Sequence, residues 1–414
     1  MTANPSAAIA LVQRGMLAQQ GGNLTAAADF YRQALTIDPD QFEALHFLGV
    51  LEAQRGNLFE ADRLVGRSLA INAQRAEAHV NHARILRSLD RPVAAIERCD
   101  QALARNPQLV DAHILRGNCL RDLGRFAEAL AAYERALALR PNYAEAVYNR
   151  SLIHLIQGQY EQGFAGYERR FNTAEPVATR MRVRAQPWSG EPLQDRSMLV
   201  YWEQGFGDIL QFARYVPLLA RAGAKVTFVV PKRLLRLLTP LAVHAELATQ
   251  HDDARAFDFC CPLMSLPHGF KTGLSTIPAD IPYLRAEDER VAHWRARMGG
   301  HGLKVGVGWQ GNPASGAEQG RSVPLAQLSP IASVPGVRLV SLQKFHGLDQ
   351  LEHLPSGMTV ETLGDDFDSG PDAFVDTAAV MANLDLVVTI DSVLGHLAGA
   401  LGRRTWTLLQ RVPH

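Results

Sequence analysis

Several hallmarks of common protein classes are absent from this 414-residue chain. Its charges balance, with 42 Lys and Arg against 42 Asp and Glu, so no global field attracts nucleic acid or an anionic membrane surface. Four cysteines are too few for a disulfide scaffold, and none lies in a C-x-x-C pair, which argues against a zinc site of that type. This cysteine usage predicts a reducing compartment.

Signals for export and membrane insertion are missing as well. The N-terminal residues contain no basic segment followed by a long apolar stretch, so no signal peptide is predicted. The most apolar runs, such as Leu386–Ile390, are far shorter than the about 20 residues that a transmembrane helix needs. We therefore expect a cytoplasmic protein with no membrane span and no nucleic-acid partner.

What the chain does contain is an internal repeat of 34 residues. In a register that begins at Ala8, the eighth position is small, as at Gly15 and Gly117, and so is the twentieth. Small residues there let the two antiparallel helices of a repeat approach closely, and the larger twenty-fourth residue is expected to fill the gap toward the next repeat. Glycine at the fifteenth position predicts a turn, with Asp90 as the exception. Proline near the end of the period ends the second helix.

This pattern resembles the tetratricopeptide repeat family, in which helix pairs stack into a solenoid with a concave groove. The groove is expected to bind a protein or peptide, because asparagine amides can hydrogen-bond an extended backbone. The candidate groove residues are Asn81, Arg84, Asn118 and Asn149. The alternative is that these are ordinary solvated surface residues. Helical repeats are not themselves catalytic, so chemistry is sought further along the chain.

A second region follows, in which strands alternate with helices. The repeat is lost from 172 to 196, where prolines and arginines indicate a linker. The later alternation predicts parallel sheets. Predicted strands are 197–202, 225–230, 303–309, 337–342 and 384–389, and predicted helices are 208–221, 231–238, 324–333, 372–382 and 393–401. The predicted class is α + α/β multidomain: a solenoid over 1–171, a linker over 172–196, and Rossmann-like lobes over 197–290 and 291–414.

Ligands of open α/β sheets bind beyond the carboxyl ends of the strands, where the first candidate segment lies. It runs from Glu203 to Asp208. Gly205 and Gly207, with Gln204 beside them, form a glycine-rich loop that a ligand can approach closely. Asp208 stands at the start of the next helix, where it is either a helix cap or a general base facing a cleft.

The second segment matches G-x-G-x-x-G from Gly306 to Gly311, but its context differs from a dinucleotide site. A polar loop follows instead of a helix, and no acidic residue occurs from 319 to 348, which argues against nicotinamide or flavin. Gly308 and Asn312 remain candidates for a ligand-facing edge. Arg321 is either a diphosphate clamp or a surface arginine.

The third segment runs from Asp391 to His396, where a strand leads directly into a helix. The N–H groups at the helix start suit an anion such as phosphate. Ser392 can cap that helix or hydrogen-bond a ligand. His396, about one turn further on, is either structural or part of the phosphate site.

Five stretches together resemble glycosyltransferases of the GT-B class, most nearly the lipopolysaccharide heptosyltransferase family and its bacterial relatives fused to tetratricopeptide repeats. They are PWSGEPL (187–193), EQGFGDILQFARYVP (203–217), VGVGWQGN (305–312), RSVPL (321–325) and DSVLGHLAGALG (391–402). The likeness covers about residues 185–411. The order of repeats before such a domain is also similar to protein O-GlcNAc transferases.

The resemblance implies an inverting transfer from a nucleotide-diphosphate sugar, hexosyl or heptosyl, with neither metal nor cofactor. It implies that Asp208 is the catalytic base, that Arg321 binds the diphosphate, and that the helix-start segment binds the donor phosphates. The residues of that segment are Asp391, Ser392, Val393 and His396. The repeats are then expected to recruit a protein or glycan acceptor.

A second hypothesis stays open beside this one: a non-catalytic scaffold whose transferase domain is vestigial. The transferases that this chain resembles continue further beyond the segment that corresponds to 391–402. The C-terminal lobe is therefore expected to be shorter than theirs. The loop 312–320 also lacks the basic and Asp-Arg-rich character of those relatives. Binding of nucleotide sugars separates the two hypotheses.

Overall fold

The computed structural model describes residues 5–250, 255–314 and 320–410. Its contacts divide the chain into two compact units. The first runs to His154 and also holds Asn172–Ala174, and the second holds Leu155–Phe171 and the chain from Glu175 onward. The sequence placed the end of the solenoid at residue 171, whereas 155–171 makes its contacts within the α/β unit.

The first unit consists of antiparallel helix pairs, as the repeat predicts. In chain order its helices are α1 (Pro5–Gln20), α2 (Leu24–Ile37), α3 (Phe42–Gln54), α4 (Leu58–Ile71), α5 (Ala76–Ser88), α6 (Pro92–Arg105), α7 (Val110–Asp122), α8 (Phe126–Leu139) and α9 (Ala144–Ile156), whose last two residues group with the second unit.

Glycine at the eighth repeat position is required by close packing within a repeat. A methyl group added at Gly15 would lie 2.5 Å from Cε1 of Tyr31, and one added at Gly117 would lie 2.5 Å from Cε1 of Tyr133. The twenty-fourth residue was predicted to fill the gap toward the next repeat. It does so in part, since Tyr31 also stacks at 6.0 Å on Phe47, but its ring first covers the glycine of its own repeat.

The turns between paired helices require left-handed backbone. The glycines at the fifteenth position have φ from 73° to 85°; they are Gly22, Gly56, Gly124 and Gly158. Asp90, the exception in the sequence, adopts the same conformation with φ 57°. The turn geometry is therefore kept in every pair, because Asp is among the few non-glycine residues that tolerate it.

The second unit opens with a short helix and one parallel sheet. Helix α10 (Tyr160–Tyr167) continues into a 3₁₀ turn at Glu168–Phe171. The strands are β1 (Gln186–Pro187), β2 (Ser197–Tyr201), β3 (Lys225–Val229), β4 (Glu246–Ala248) and β5 (Phe259–Pro262), and the helices are α11 (Phe206–Phe212), α12 (Val216–Arg221), α13 (Leu235–Leu238) and α14 (Leu266–Gly269). The strand order is β1-β5-β2-β3-β4, so β2 is central and its carboxyl end faces the middle of one sheet edge.

A second parallel sheet completes this unit. After α15 (Asp288–Met298), its elements are β6 (Leu303–Gly308), α16 (Ser329–Ala332), β7 (Val337–Ser341), β8 (Val360–Glu361), α17 (Val375–Ala382), β9 (Leu386–Ile390), α18 (Val393–Ala400) and β10 (Thr405–Leu408). The order is β10-β9-β6-β7-β8, which places β6 at the centre and β9 beside it. Buried residues from both sheets, including Met198 and Val387, belong to one continuous core.

Parallel sheets are confirmed, while several predicted element bounds need correction. The predicted helix 208–221 is two helices, α11 and α12, with a 3₁₀ turn at Ala213–Tyr215, because Pro217 cannot donate to a continuous helix. The predicted helix 324–333 is a 3₁₀ turn at Leu325–Leu328 followed by α16. The predicted linker contains β1, which pairs with β5.

Candidate functional site

The loop between β2 and α11 places Asp208 at the carboxyl end of a central strand. Gly205, not Asp208, caps the helix, and Asp208 is its third residue. The Gly205 N–H donates to Oδ2 of Asp208 at 3.0 Å, and this hydrogen bond joins the two ends of the turn from Gly205 to Asp208. Burial raises the pKa of the Asp208 carboxyl; hydrogen bonds from backbone N–H groups oppose the rise, and the charges of Glu203 and Asp391 add to it.

The segment between β9 and α18 supplies a second set of polar groups. Ser392 caps α18, with its Oγ accepting the Leu394 N–H at 3.4 Å and lying 3.2 Å from Oγ1 of Thr389. Nε2 of His396 lies 4.0 Å from Oδ1 of Asp391. Burial lowers the pKa of His396; Asp391 opposes this, and Arg214 and Arg321 add to the lowering. A neutral imidazole at pH 7 follows.

The structure brings these two segments together. A methyl group added at Gly207 would lie 2.9 Å from Cδ2 of His396 and 3.6 Å from Cα of Val393. Phe206 contacts Phe374 edge-to-face at 6.2 Å between ring centroids. The glycine-rich loop therefore packs directly against the first turn of α18, which no spacing in the sequence could show.

In the second predicted segment, Gly308 and Asn312 have structural contacts of their own. A methyl group at Gly308 would lie 2.5 Å from Cδ1 of Leu394 and 3.0 Å from Oγ1 of Thr389, so packing against α18 accounts for this glycine. The Asn312 side chain accepts the Ala314 N–H at 3.0 Å and stabilises a turn. Arg321 lies within electrostatic reach of His396. Residues 315–319 of the loop lie outside the described residues.

Two polar arrangements beside the candidate segments were missed in the sequence. The Gln343 side chain, just past β7, accepts the N–H groups of Trp309 and Gln310 at 3.1 and 3.2 Å and so fixes the strand end before the loop. Arg170 forms a buried ion pair with Glu203. Gln343 and Glu203 each follow the end of a strand by two residues, which is a sequence signal for both, whereas Arg170 gave no such signal.

The groove candidates lie on the first helices of their repeats, and each asparagine uses one amide atom inside the solenoid. Asn81 hydrogen-bonds Nε2 of His46 at 3.1 Å. Tyr133 Oη donates to Asn118 at 2.7 Å, and Arg121 donates to Asn149 at 3.3 Å. These asparagines therefore keep only part of their amide for a peptide. The Arg84 side chain is on an exposed position.

Comparison with known proteins supports the repeat assignment. Residues 2–42 and 110–143 match family models described as tetratricopeptide repeat. The N-terminal region is therefore a helical tetratricopeptide solenoid, followed by a region of parallel sheets.

One curated relative is Protein FlbA of Caulobacter vibrioides. It is 26% identical over a match that covers 56% of this chain and 42% of FlbA. The chain thus spans less than half the length of that relative.

Similar solved structures include MamA and YrrB, the latter described as a tetratricopeptide protein with an unusual peptide-binding site. MamA is 22% identical, covering 37% of this chain and 91% of its own, with a TM-score of 0.35. YrrB is 21% identical, covering 41% and 87%, with a TM-score of 0.36. Likenesses at this level say nothing about function.

Within 5–250, 255–314 and 320–410, no three His, Cys, Asp or Glu side chains gather into a group that could hold a metal ion. Metal independence stays a prediction.

Across the same described residues, every helix is too short or too polar to cross a membrane.

Proposed function

We propose that the α/β unit is a metal-independent, inverting glycosyltransferase that uses a nucleotide-diphosphate sugar. One observation carries the proposal: the half-buried Asp208 stands on a loop that packs against the first turn of α18. A proton acceptor and an anion-binding helix start then lie side by side, as transfer from a sugar diphosphate requires.

The donor phosphates would bind at the start of α18. The dipole of the helix favours negative charge at its first turn. Ser392 offers a hydroxyl at this point, and neutral His396 offers a ring nitrogen. The guanidinium of Arg321 adds positive charge close by. The leaving diphosphate gains charge as the bond breaks, and these groups would stabilise it.

The acceptor hydroxyl gives its proton to the Asp208 carboxylate as its oxygen attacks the anomeric carbon. The bond from that carbon to the diphosphate oxygen breaks, and the nucleoside diphosphate leaves with the electron pair. A raised pKa suits Asp208 to this role, since a base works best when its pKa lies nearer the working pH.

A panel of nucleotide sugars tests the proposal. UDP-, GDP- and ADP-sugars are compared by thermal shift, with a CMP-sugar as the arm that lacks a diphosphate. One diphosphate donor should raise the melting temperature, because a ligand present at 100 times its Kd adds about 2.7 kcal/mol to the free energy of unfolding. Arg321→Ala should weaken this shift, whereas Asp208→Ala should keep it and lose sugar transfer. No shift with any donor, or full turnover by Asp208→Ala, would overturn the proposal.

The second candidate function is a protein-binding scaffold with a non-catalytic α/β unit. The match of 2–42 and 110–143 to tetratricopeptide repeat models favours it, because such solenoids present a binding groove. The same panel separates the candidates, since the scaffold predicts no thermal shift with any nucleotide. Within the first proposal, the groove would instead recruit the protein or glycan-bearing acceptor.

A further inference from the structure

Helix α10 and its 3₁₀ turn present three side chains at intervals of three residues, Phe164, Tyr167 and Arg170. Residues so spaced lie along one face of a helix. Each contacts the segment 203–212 that carries Asp208. We propose that these three residues are a brace that positions the Asp208 loop for the reaction. This inference rests on the proposed role of Asp208.

Arg170 forms the centre of the brace. Its side chain and that of Glu203 are both 0% exposed. Nε and Nη2 of Arg170 donate to the two Glu203 oxygens at 3.0 and 2.8 Å, and Nη2 also donates to Ser265 Oγ at 2.7 Å. Nη1 donates to Glu168 at 2.8 Å. This bidentate geometry fixes the residue that immediately precedes the glycine-rich loop.

The other two contacts hold the segment on either side of Asp208. Nε2 of Gln204 donates to the Tyr167 hydroxyl at 3.1 Å. The Phe164 ring packs edge-to-face on Phe212, the last residue of α11, with 6.5 Å between centroids. Glycines have no side chains that could hold the loop in place, so the contacts of the brace fix the segment before and after it.

Stability alone does not explain the buried ion pair. Replacing a buried pair by apolar groups of similar volume is often neutral or stabilising, because desolvation offsets the attraction of the charges. The buried Arg170–Glu203 pair is better explained by the position in which it holds Glu203. The contacts also explain why 155–171 groups with the α/β unit although its sequence continues the repeat.

The brace also sets the charge that faces Asp208. Glu203 on its own loop and Asp391 before α18 both oppose its ionisation, and His396 lies beside Gly207. Arg170 balances the charge of Glu203. Arg170→Met with Glu203→Gln removes the Glu203 charge that raises the pKa of Asp208, so this pKa should fall.

The test compares the full wild-type chain with this double variant. Glu203→Gln keeps an oxygen for the Met264 N–H, which Glu203 accepts at 3.1 Å, so the double variant is expected to fold. Hydrogen–deuterium exchange of peptides within 202–212 should be faster in the double variant than in the wild type. Sugar transfer should fall roughly 10- to 100-fold at unchanged donor affinity, since the donor binds α18. The acid limb of the rate should move to lower pH in the double variant, because the Glu203 charge no longer raises the pKa of Asp208.

Arg180→Met is the matched control. This half-exposed arginine stacks on Phe171 at 4.3 Å, close to Arg170, and reaches Glu168 at 4.0 Å rather than the loop. It should leave exchange of 202–212 and transfer unchanged. Unchanged exchange in a folded double variant would overturn the brace. If the wild type transferred no sugar, the proposed function would fail while the exchange measurement still decided whether the loop is held in this way.

Discussion

The Asp208 carboxyl group accepts the Gly205 N–H at 3.0 Å and lies half-buried in the first turn of α11. Burial raises the pKa of Asp208, which means that folding favours its neutral form. Asp258 is the opposite case, since the Ser197 N–H and hydroxyl lower its pKa. The pKa values of the two aspartates are therefore shifted in opposite directions, because burial prevails at Asp208 and hydrogen bonding prevails at Asp258.

This difference predicts opposite effects on stability. For Asp208, the favourable contribution is present below the unfolded pKa and is lost as pH rises through the folded value, so the ionised group is a cost at pH 7. Asp208→Asn should therefore raise the free energy of unfolding at pH 7 by about 0.5–2 kcal/mol. The gain should vanish below about pH 4, where both states are protonated.

Asp258→Asn is the control, measured by thermal unfolding across the same pH range. Its carboxylate stabilises the fold above the unfolded pKa and loses that effect as pH falls, so the variant should be less stable at pH 7. A destabilised Asp208→Asn variant at pH 7 would contradict the inferred cost of ionisation. Activity lost together with stability gained would identify Asp208 as a functional rather than a structural residue.

At the scale of elements, the repeat depends on helices that end at fixed points. Gly22 follows α1 with φ 78°, whereas its neighbour Gly21 has no such constraint. Side chains clash with the backbone in left-handed conformation, at a cost of roughly 1–2 kcal/mol. These two adjacent glycines therefore differ in structural role, although the sequence alone does not distinguish them.

Gly22→Ala should lower the stability of the first unit by about 1–2 kcal/mol. Space is not the cause, because nothing lies within 4 Å of the added methyl group. Gly21→Ala is the matched control and should change stability by less than about 0.5 kcal/mol. Unfolding in urea followed by circular dichroism measures both. Equal losses of stability in the two variants would show that the left-handed backbone at Gly22 is not the cause of the effect.

At the scale of the whole molecule, each compact unit buries a core of its own. Tyr31 and Leu45 are buried in the repeats, while Met198 and Val387 belong to the core shared by the two sheets. Chains with separate cores often unfold in more than one step. The repeat unit and the α/β unit are therefore expected to unfold in distinct transitions.

Differential scanning calorimetry should resolve two transitions in the full chain. Gly22→Ala should lower only the transition of the repeats, since the substitution lies in the first unit. A diphosphate donor found in the nucleotide panel should raise only the other transition, because ligand binding stabilises the unit that binds it. A single transition that moves with both changes would refute separate unfolding.

Much of this organisation could be predicted from residue spacing. The 34-residue period predicted the helix pairs, and Gly15 and Gly117 lie under tyrosine rings as their small size requires. Apolar runs predicted β2, β3, β6, β7 and β9, with each end within two residues of its position in the structure. The helix pairs and strands could be predicted because repeat spacing and apolar runs involve residues close together in the chain.

The sequence by itself determined that a tetratricopeptide solenoid precedes parallel sheets, since repeat spacing and strand periodicity are local properties. Only the tertiary structure decided which residues meet. It brought Gly207 against His396, and it paired Arg170 with Glu203, 33 residues further along the chain. Such contacts depend on how the sheets and α10 pack, because burial and close approach between distant segments leave no period in the sequence.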